Sequence, residues 1–393
     1  MKILNDPVLG AYTRDGETAS SAHVDRVLGR PFRQAPAEVH LPLVSVIVTA
    51  YNYERFVRRT LESIAAQNYE NFECVIVDDG STDGTLGEVE GFLADRRDAR
   101  FRLLRNDSNR GQLGAQIAGF QACHGAFTVF VDADDLLFPD CLETQVAAHL
   151  HCEPIAAMTC LDSATIDEDG ALLSAHHREI RLRLWQFFRP RASQKTVEIL
   201  GESLECRIIP PSVANMIVLR DQYFWTTQSF MMFRSDFLKL VLPEKTDRFR
   251  ICSDYYLVRM AHAFNSTILV HRCCGAYRVH GANHYAQPLL ISADQESGNP
   301  ARFAWQADEA AALALQVITG RLERFAAAFG EFRTVRALIG LPRKVRPPVF
   351  RLLRRRVKFR EALIVFAVAW VSRRVGRLRV SWGTFVRVIW SGC

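Results

Sequence analysis

The chain has 393 residues, 49% of them hydrophobic and 23% charged, which at about 100–200 residues per domain suggests two to three domains. Apolar content on this scale excludes a disordered chain and a disulfide-held miniprotein. The formal charge of +6 is unevenly spread: residues 341–393 carry 14 of the 49 Lys and Arg but one of the 43 Asp and Glu, so this tail is +13 and the remainder −7.

In chain order, residues 1–40 are polar and broken by Gly10, Gly16, Gly29, Pro31 and Pro36, which predicts an irregular extension. Asn5, Asp6, Arg14 and Asp15 interrupt any secretory apolar stretch there. From Leu43 the pattern changes. Val44–Thr49, Phe72–Val77, Phe101–Leu104 and Phe127–Val131 are short β-branched or aromatic runs that read as strands. Tyr53–Gln67 carries Phe56, Leu61 and Ile64 at helical spacing, with Asn52 as its expected cap, and Thr85–Ala94 and Gly114–Cys123 are the next helices. Strand alternating with helix predicts an α/β fold whose central sheet is mostly parallel.

Beyond Asp140 the regularity falls. Ile155–Thr165 reads as strand, Asp169-Gly170 as a turn before Leu172-Leu173, and Pro210-Pro211 as a loop. Phe230–Leu242 and Tyr255–Phe264 are expected to pack back on the sheet, and residues 302–340, with Leu322, Phe325, Phe329 and Phe332, to form helices. The ten cysteines include no CxxC pair, so buried thiols in a reducing compartment are expected.

Ligands of parallel α/β sheets bind beyond the carboxyl ends of the strands. The residues ending the predicted strands are Thr49-Ala50-Tyr51-Asn52, Asp78-Asp79-Gly80-Ser81, Asn106 to Gly111, and Asp132-Ala133-Asp134-Asp135. Five aspartates on one rim repel unless a cation or a donor-rich ligand offsets them, and Mg²⁺ or Mn²⁺ with phosphate oxygens would do so. No GxGxxG follows the first strand and no GxxxxGK[ST] occurs, which disfavours a dinucleotide dehydrogenase and a P-loop NTPase.

Val44-Ser-Val-Ile-Val-Thr-Ala-Tyr-Asn52, Val75-Ile-Val-Asp-Asp-Gly-Ser-Thr-Asp83 and Val131-Asp-Ala-Asp-Asp135 together resemble family 2 glycosyltransferases of GT-A fold, over about residues 42–285. The resemblance implies that Thr49, Ala50 and Tyr51 line a nucleotide pocket and that Asp79 accepts a hydrogen bond from the base. It assigns Asp132 and Asp134 to the DxD motif that touches ribose and metal, with Asp135 close by as a further metal ligand. It also implies a general base within [ED]D-x-x-[LF]-x-x-R. Ser253-Asp254-Tyr255-Tyr256-Leu257-Val258-Arg259 matches, with Ser253 in place of the usual acidic neighbour, so Asp254 is the expected base. Tyr277-Arg278-Val-His280-Gly281-Ala-Asn283 is similar to the segment after the last core strand, where Arg278 would meet the pyrophosphate and His280 the metal. Asn109-Arg110-Gly111 fits the loop after the third strand, but Gln116 stands in a stretch that usually holds an arginine. Trp225 falls on the acceptor side, where stacking on a sugar competes with a core role.

The domains expected are an extension over 1–40, a GT-A domain over 41–290, a helical segment over 300–340 and a basic amphipathic tail over 341–393. The resemblance implies an inverting, metal-dependent transferase that moves a sugar from a UDP-, GDP- or dTDP-sugar to a hydroxyl of a glycan or lipid-linked acceptor, in cell-surface polysaccharide or glycan synthesis. The alternative is a catalytically silent sugar-nucleotide-binding scaffold or sensor with the same fold. A nucleotidyltransferase would carry a Gly-rich basic loop after the first strand, and Tyr51-Asn-Tyr-Glu-Arg-Phe56 lacks one. In the tail the longest apolar run, Ala362–Val371, is ten residues, short of the roughly 18 that span a bilayer. Between its cationic flanks it suits peripheral contact with an anionic membrane, or else a protein partner, whereas no nucleic-acid motif accompanies it. A cytoplasmic protein at the inner membrane face is the expectation.

Overall fold

The structure, a computed structural model, describes residues 40–153, 155–175, 193–211, 226–244, 246, 248–281, 283 and 300–340. Residues 1–39 of the expected extension, Trp225 and the basic tail lie outside the described residues.

The strands are β1 (Val44–Ala50), β2 (Phe72–Asp78), β3 (Phe101–Arg105), β4 (Phe127–Asp132), β5 (Leu136–Leu137), β6 (Ala156–Ile166), β7 (Leu172–Ser174), β8 (Ser193–Ile199), β9 (Glu202–Ile209), β10 (Met231–Arg234) and β11 (Ser266–Arg278). The helices are α1 (Val57–Ala65), α2 (Thr85–Arg96), α3 (Gln112–Gln121), α4 (Cys141–His151), α5 (Ser235–Val241), α6 (Asp254–Phe264), α7 (Pro300–Gly320), α8 (Leu322–Phe329) and α9 (Glu331–Gly340). One sheet runs in the order β3-β2-β1-β4-β10-β6-β11-β9-β8. Its first four strands are parallel, as the alternating pattern predicts. β10 then enters antiparallel to both β4 and β6, β11 is parallel to β6, and β8 and β9 form an antiparallel hairpin at the far edge.

Both faces of β1, β2 and β4 are covered, which is why these strands read as largely apolar runs. Ile47, Val75, Val77 and Phe130 face one core, closed by α3, α5, α6 and the helices α7 to α9. Val46, Val48, Ile76, Val129 and Val131 face the other, closed by α1, α2 and α4. The period of two along each strand therefore divides the side chains between two helical layers. Among the described residues no helix is long and apolar enough to cross a membrane.

One local expectation is corrected. Asn52 does not cap a helix, because α1 begins only at Val57. Asn52 instead takes φ +62°, a region asparagine tolerates, and clamps the next loop: its N–H donates to Ser81 Oγ and its Oδ1 accepts from Thr82 N–H at 2.8 Å.

Candidate active site

Parallel pairing aligns the strand ends, with Thr49 opposite Asp132 and Ala50 opposite Asp78, so the polar residues that follow β1, β2 and β4 share one rim. Thr49 and Ala50 are buried at the end of β1, whereas Tyr51 is 41% exposed just beyond it.

The Asp132–Asp135 turn is held from below. Asp135 N–H donates to Asp132 O, and the Thr60 hydroxyl of α1 donates to Ala133 O at 2.9 Å. Asp134 Oδ2 meets His280 Nε2 at 2.9 Å, both side chains being about 5% exposed. The His280 ring lies over Phe56, 4.8 Å between centroids, with Tyr53 edge-on at 6.2 Å. Asp132 Oδ1 accepts from Gln112 Nε2 at 3.0 Å and from Gln228 Nε2 at 2.5 Å. Asp254 opens α6 directly after the buried Ser253, whose N–H donates to Gln112 Oε1, so the start of α6 is one bridging side chain from Asp132. Thus Asp132, Asp134, His280 and Asp254, singled out from the sequence, are brought together.

Three other expected residues are placed differently. Asp135 is fully buried and turned into the fold: Oδ2 accepts from Ser229 Oγ at 2.6 Å and Thr227 Oγ1 at 3.4 Å, and Oδ1 from Arg278 N–H at 3.1 Å. Its oxygens serve the scaffold rather than a metal. Arg278 is also buried, its Nε donating to Asp134 O and its Nη1 to the carbonyls of Asp167 and Glu168, with the guanidinium 5.2 Å from the Phe56 ring. These donors tie the acidic turn, through Asp134 O, to the loop after β6, through Asp167 O and Glu168 O. The Asp79 carboxylate accepts from Asn106 Nδ2, from the Arg110 N–H at both oxygens, and from Gly111 N–H at 2.9 Å. These bonds take up its lone-pair directions, so Asp79 organises the loop after β3 and leaves little capacity for a base.

The electrostatics follow from burial of like charges. Desolvation, with Asp134 next to it, pushes Asp132 up to about 7, while the Gln228 and Gln112 amides pull the other way. Desolvation and then Asp134 and Asp132 raise Asp135 well above the carboxylate range. The Tyr53 and Tyr277 hydroxyls are raised first by burial and then by the same aspartates.

Asp134 and His280 form a carboxylate–imidazole pair, and among the described residues no three His, Cys, Asp or Glu group into a full protein cage. Mg²⁺ and Mn²⁺ need no such cage when substrate phosphates complete the shell.

Sequence reasoning missed the neutral donors. Gln112, Gln228, Ser229 and Thr227 contact the acidic turn from distant parts of the chain. The clue available was that Thr227-Gln228-Ser229 is a run of neutral hydrogen-bonding residues, suited to cover carboxylates.

Comparison with known proteins supplies an independent finding. Residues 45–214 match the model of Glycosyl transferase family 2. An uncharacterized glycosyltransferase of Nostoc sp. is 26% identical over 258 residues, covering 66% of this chain and 71% of its own. A UDP-Glc:α-D-GlcNAc-diphosphoundecaprenol β-1,3-glucosyltransferase of Escherichia coli is 34% identical over 108 residues, 28% of this chain and 41% of that protein. Among solved structures, S. aureus TarS in complex with UDP-GlcNAc aligns with a TM-score of 0.42 at 16% identity, covering 86% of this chain and 93% of that one.

Proposed function

We propose that this chain, whose residues 45–214 match the model of Glycosyl transferase family 2, transfers a sugar, with inversion, from a nucleoside diphosphate donor to a hydroxyl of a lipid-linked glycan. One observation carries this reading: Asp132, beside Asp134 and His280, is bridged by Gln112 to the N–H of Ser253, the residue before Asp254, 122 positions further along the chain. An inverting displacement needs these parts. A base must take the acceptor proton, and the diphosphate charge that grows as the donor bond breaks must be stabilised.

Asp254 is the base in this reading. Asp134 and His280 would hold Mg²⁺ or Mn²⁺, which when bound supplies a Lewis acid for the departing diphosphate. Asp132 orients the ribose end of the donor, Thr49 to Tyr51 wall the nucleotide, and Asp79 shapes its pocket through the loop at 106–111. The lipid-linked acceptor is supported by the diphosphoundecaprenol substrate in the name of the E. coli relative. The +13 segment at 341–393 would keep the enzyme at an anionic membrane face, where such acceptors reside. The product belongs to polysaccharide or glycan assembly.

The test compares two variants after a thermal-shift screen of UDP-, GDP- and dTDP-sugars with Mn²⁺ has selected a donor. Asp254→Asn is expected to lower turnover by about 10²–10⁴-fold while leaving nucleoside diphosphate binding intact. Asp134→Ala is expected to abolish the Mn²⁺-dependent part of that binding. Wild-type turnover in both variants would refute the assignment, and a wild-type protein that binds donors but never releases nucleoside diphosphate would be a scaffold.

A further inference from the structure

Four side chains from four separate parts of the chain close a ring beneath the rim. Asp132 Oδ1 accepts from the amide nitrogens of Gln112 and Gln228. Gln112 Oε1 accepts from Ser253 N–H at 3.0 Å, and the Ser253 hydroxyl lies 3.2 Å from Gln112 Oε1 and 3.1 Å from Gln228 Oε1. Gln116 Nε2 supports the ring from outside, donating to Gln228 Oε1 at 2.8 Å.

The polarity of this ring is set from the position 253 side. A backbone N–H only donates, so Gln112 turns its carbonyl oxygen to Ser253 and its NH₂ group to Asp132, and Gln228, whose carbonyl oxygen accepts from Gln116, likewise turns its NH₂ group to Asp132. Those two carbonyls converge on position 253, which must therefore donate. Ser253 offers a backbone N–H and a hydroxyl, and it is buried. A carboxylate there would set a third acceptor against two carbonyl oxygens, away from water, where unpaired polar groups are costly. Serine at the place where the resemblance has an acidic residue is thus matched to Gln112 and Gln228.

The ring also ends one residue short of Asp254. The rest of that approach is docked on the start of α3: Gln112 N–H donates to Arg250 O at 2.8 Å and Leu113 N–H to Phe249 O at 3.2 Å. Gly111, at φ +78°, permits this contact, since a Cβ there would sit 2.6 Å from Arg250 Cα.

We infer that Gln112, Gln228 and Ser253 are positioning residues that lock the Asp254 end of α6 to Asp132, holding base and donor-binding carboxylate at a fixed separation through turnover. This rests on the reading of Asp254 as the base and extends it to residues that touch neither substrate.

The experiment measures nucleoside diphosphate release from UDP-glucose, GDP-mannose and dTDP-glucose with Mn²⁺, together with the melting temperature of each variant. Ser253→Ala loses only the hydroxyl and should lower kcat about tenfold, with the donor KM within about twofold and the melting temperature near wild type. Ser253→Thr, which keeps a hydroxyl, should recover most of that loss. Ser253→Asp, which restores the acidic pattern, should lower kcat by about 100-fold rather than raise it. The inference fails if Ser253→Asp turns over like wild type, or if Ala and Thr lose activity equally, since packing alone would then explain the site. Full turnover by Asp254→Asn would instead overturn the base assignment. Wild-type protein that turns over none of the three donors would overturn the transferase reading and this inference with it.

Discussion

The two ends of the parallel sheet each bury carboxylates, and they treat them in opposite ways. At the amino ends of the strands Glu73 sits on β2 beside Ser45 of β1. Burial would raise its pKa, but it accepts from His124 N–H at 2.6 Å and Ser45 Oγ at 2.8 Å and pairs with Arg102 at 2.9 Å, which leaves it below the ordinary carboxylate value. At the carboxyl ends, Asp132 and Asp135 accept hydrogen bonds from neutral groups and remain beside Asp134, so desolvation and repulsion raise both. One end is electrostatically closed and the other is left in deficit. A deficit of this kind costs stability in the free protein and is recovered when a cation or a donor-rich ligand binds.

Substitutions at the two ends should therefore move stability in opposite directions. The largest effect is expected at Glu73, where alanine would leave Ser45, His124 N–H and Arg102 without their shared acceptor. Chemical denaturation should show a loss of about 3 kcal/mol. Asp132→Asn keeps an oxygen to accept from one or both glutamine amides but removes the charge. It should raise the stability of the free protein by about 2 kcal/mol while weakening nucleoside diphosphate binding in Mn²⁺. A destabilised Asp132→Asn would show that the rim carries no deficit.

The pH dependence sharpens the same contrast. Asp132 is raised to about 7 in the folded chain, while an unfolded aspartate titrates near its ordinary value of about 4. Between those values the folded form holds a proton that the unfolded chain has released. Its contribution to stability is therefore full below about pH 4 and is lost as pH rises through about 7. Melting curves of wild type and Asp132→Asn should converge near pH 4 and separate most above pH 7, and Mn²⁺ with nucleoside diphosphate should narrow the gap by stabilising wild type alone.

The parallel half was legible because β1, β2 and β4 are largely apolar runs with Thr or Asp at or near their ends, and parallel pairing turns those ends into a rim without further information. The antiparallel entry of β10 between β4 and β6 was not. Met231–Arg234 is four residues long, and its partners lie 71 to 107 positions away, beyond the reach of local periodicity. The same limit applies within the site. Asp132, Asp134 and Asp254 stand out as charges, whereas Gln112 and Gln228 acquire meaning only when the fold brings them to Asp132. Arg278 stands out as a charge too, but its bonds to three backbone carbonyls become visible only in the fold.

The smallest effect tests how completely the closed end is closed. Ser45 Oγ donates to Glu73 Oε1 and accepts from Gly125 N–H at 2.8 Å, so it links β1, β2 and the entry to β4. The approach is so close that a Cβ on Gly125 would lie 2.5 Å from both Ser45 N and Ser45 Oγ. Ser45→Ala removes one of the groups that hold Glu73 below its ordinary value and leaves the Gly125 N–H without its acceptor. Glu73 keeps Arg102 and His124 N–H, so the carboxylate stays ionised and the loss should be about 1 kcal/mol at neutral pH. Because a depressed carboxylate stabilises above its unfolded pKa and loses that contribution as pH falls through the folded one, the Ser45→Ala deficit should shrink in acid. At the rim the sign is reversed, since removing the charge of Asp132 gives a gain that also vanishes in acid. Measured together, the two variants separate a carboxylate kept for the scaffold from one kept for a ligand.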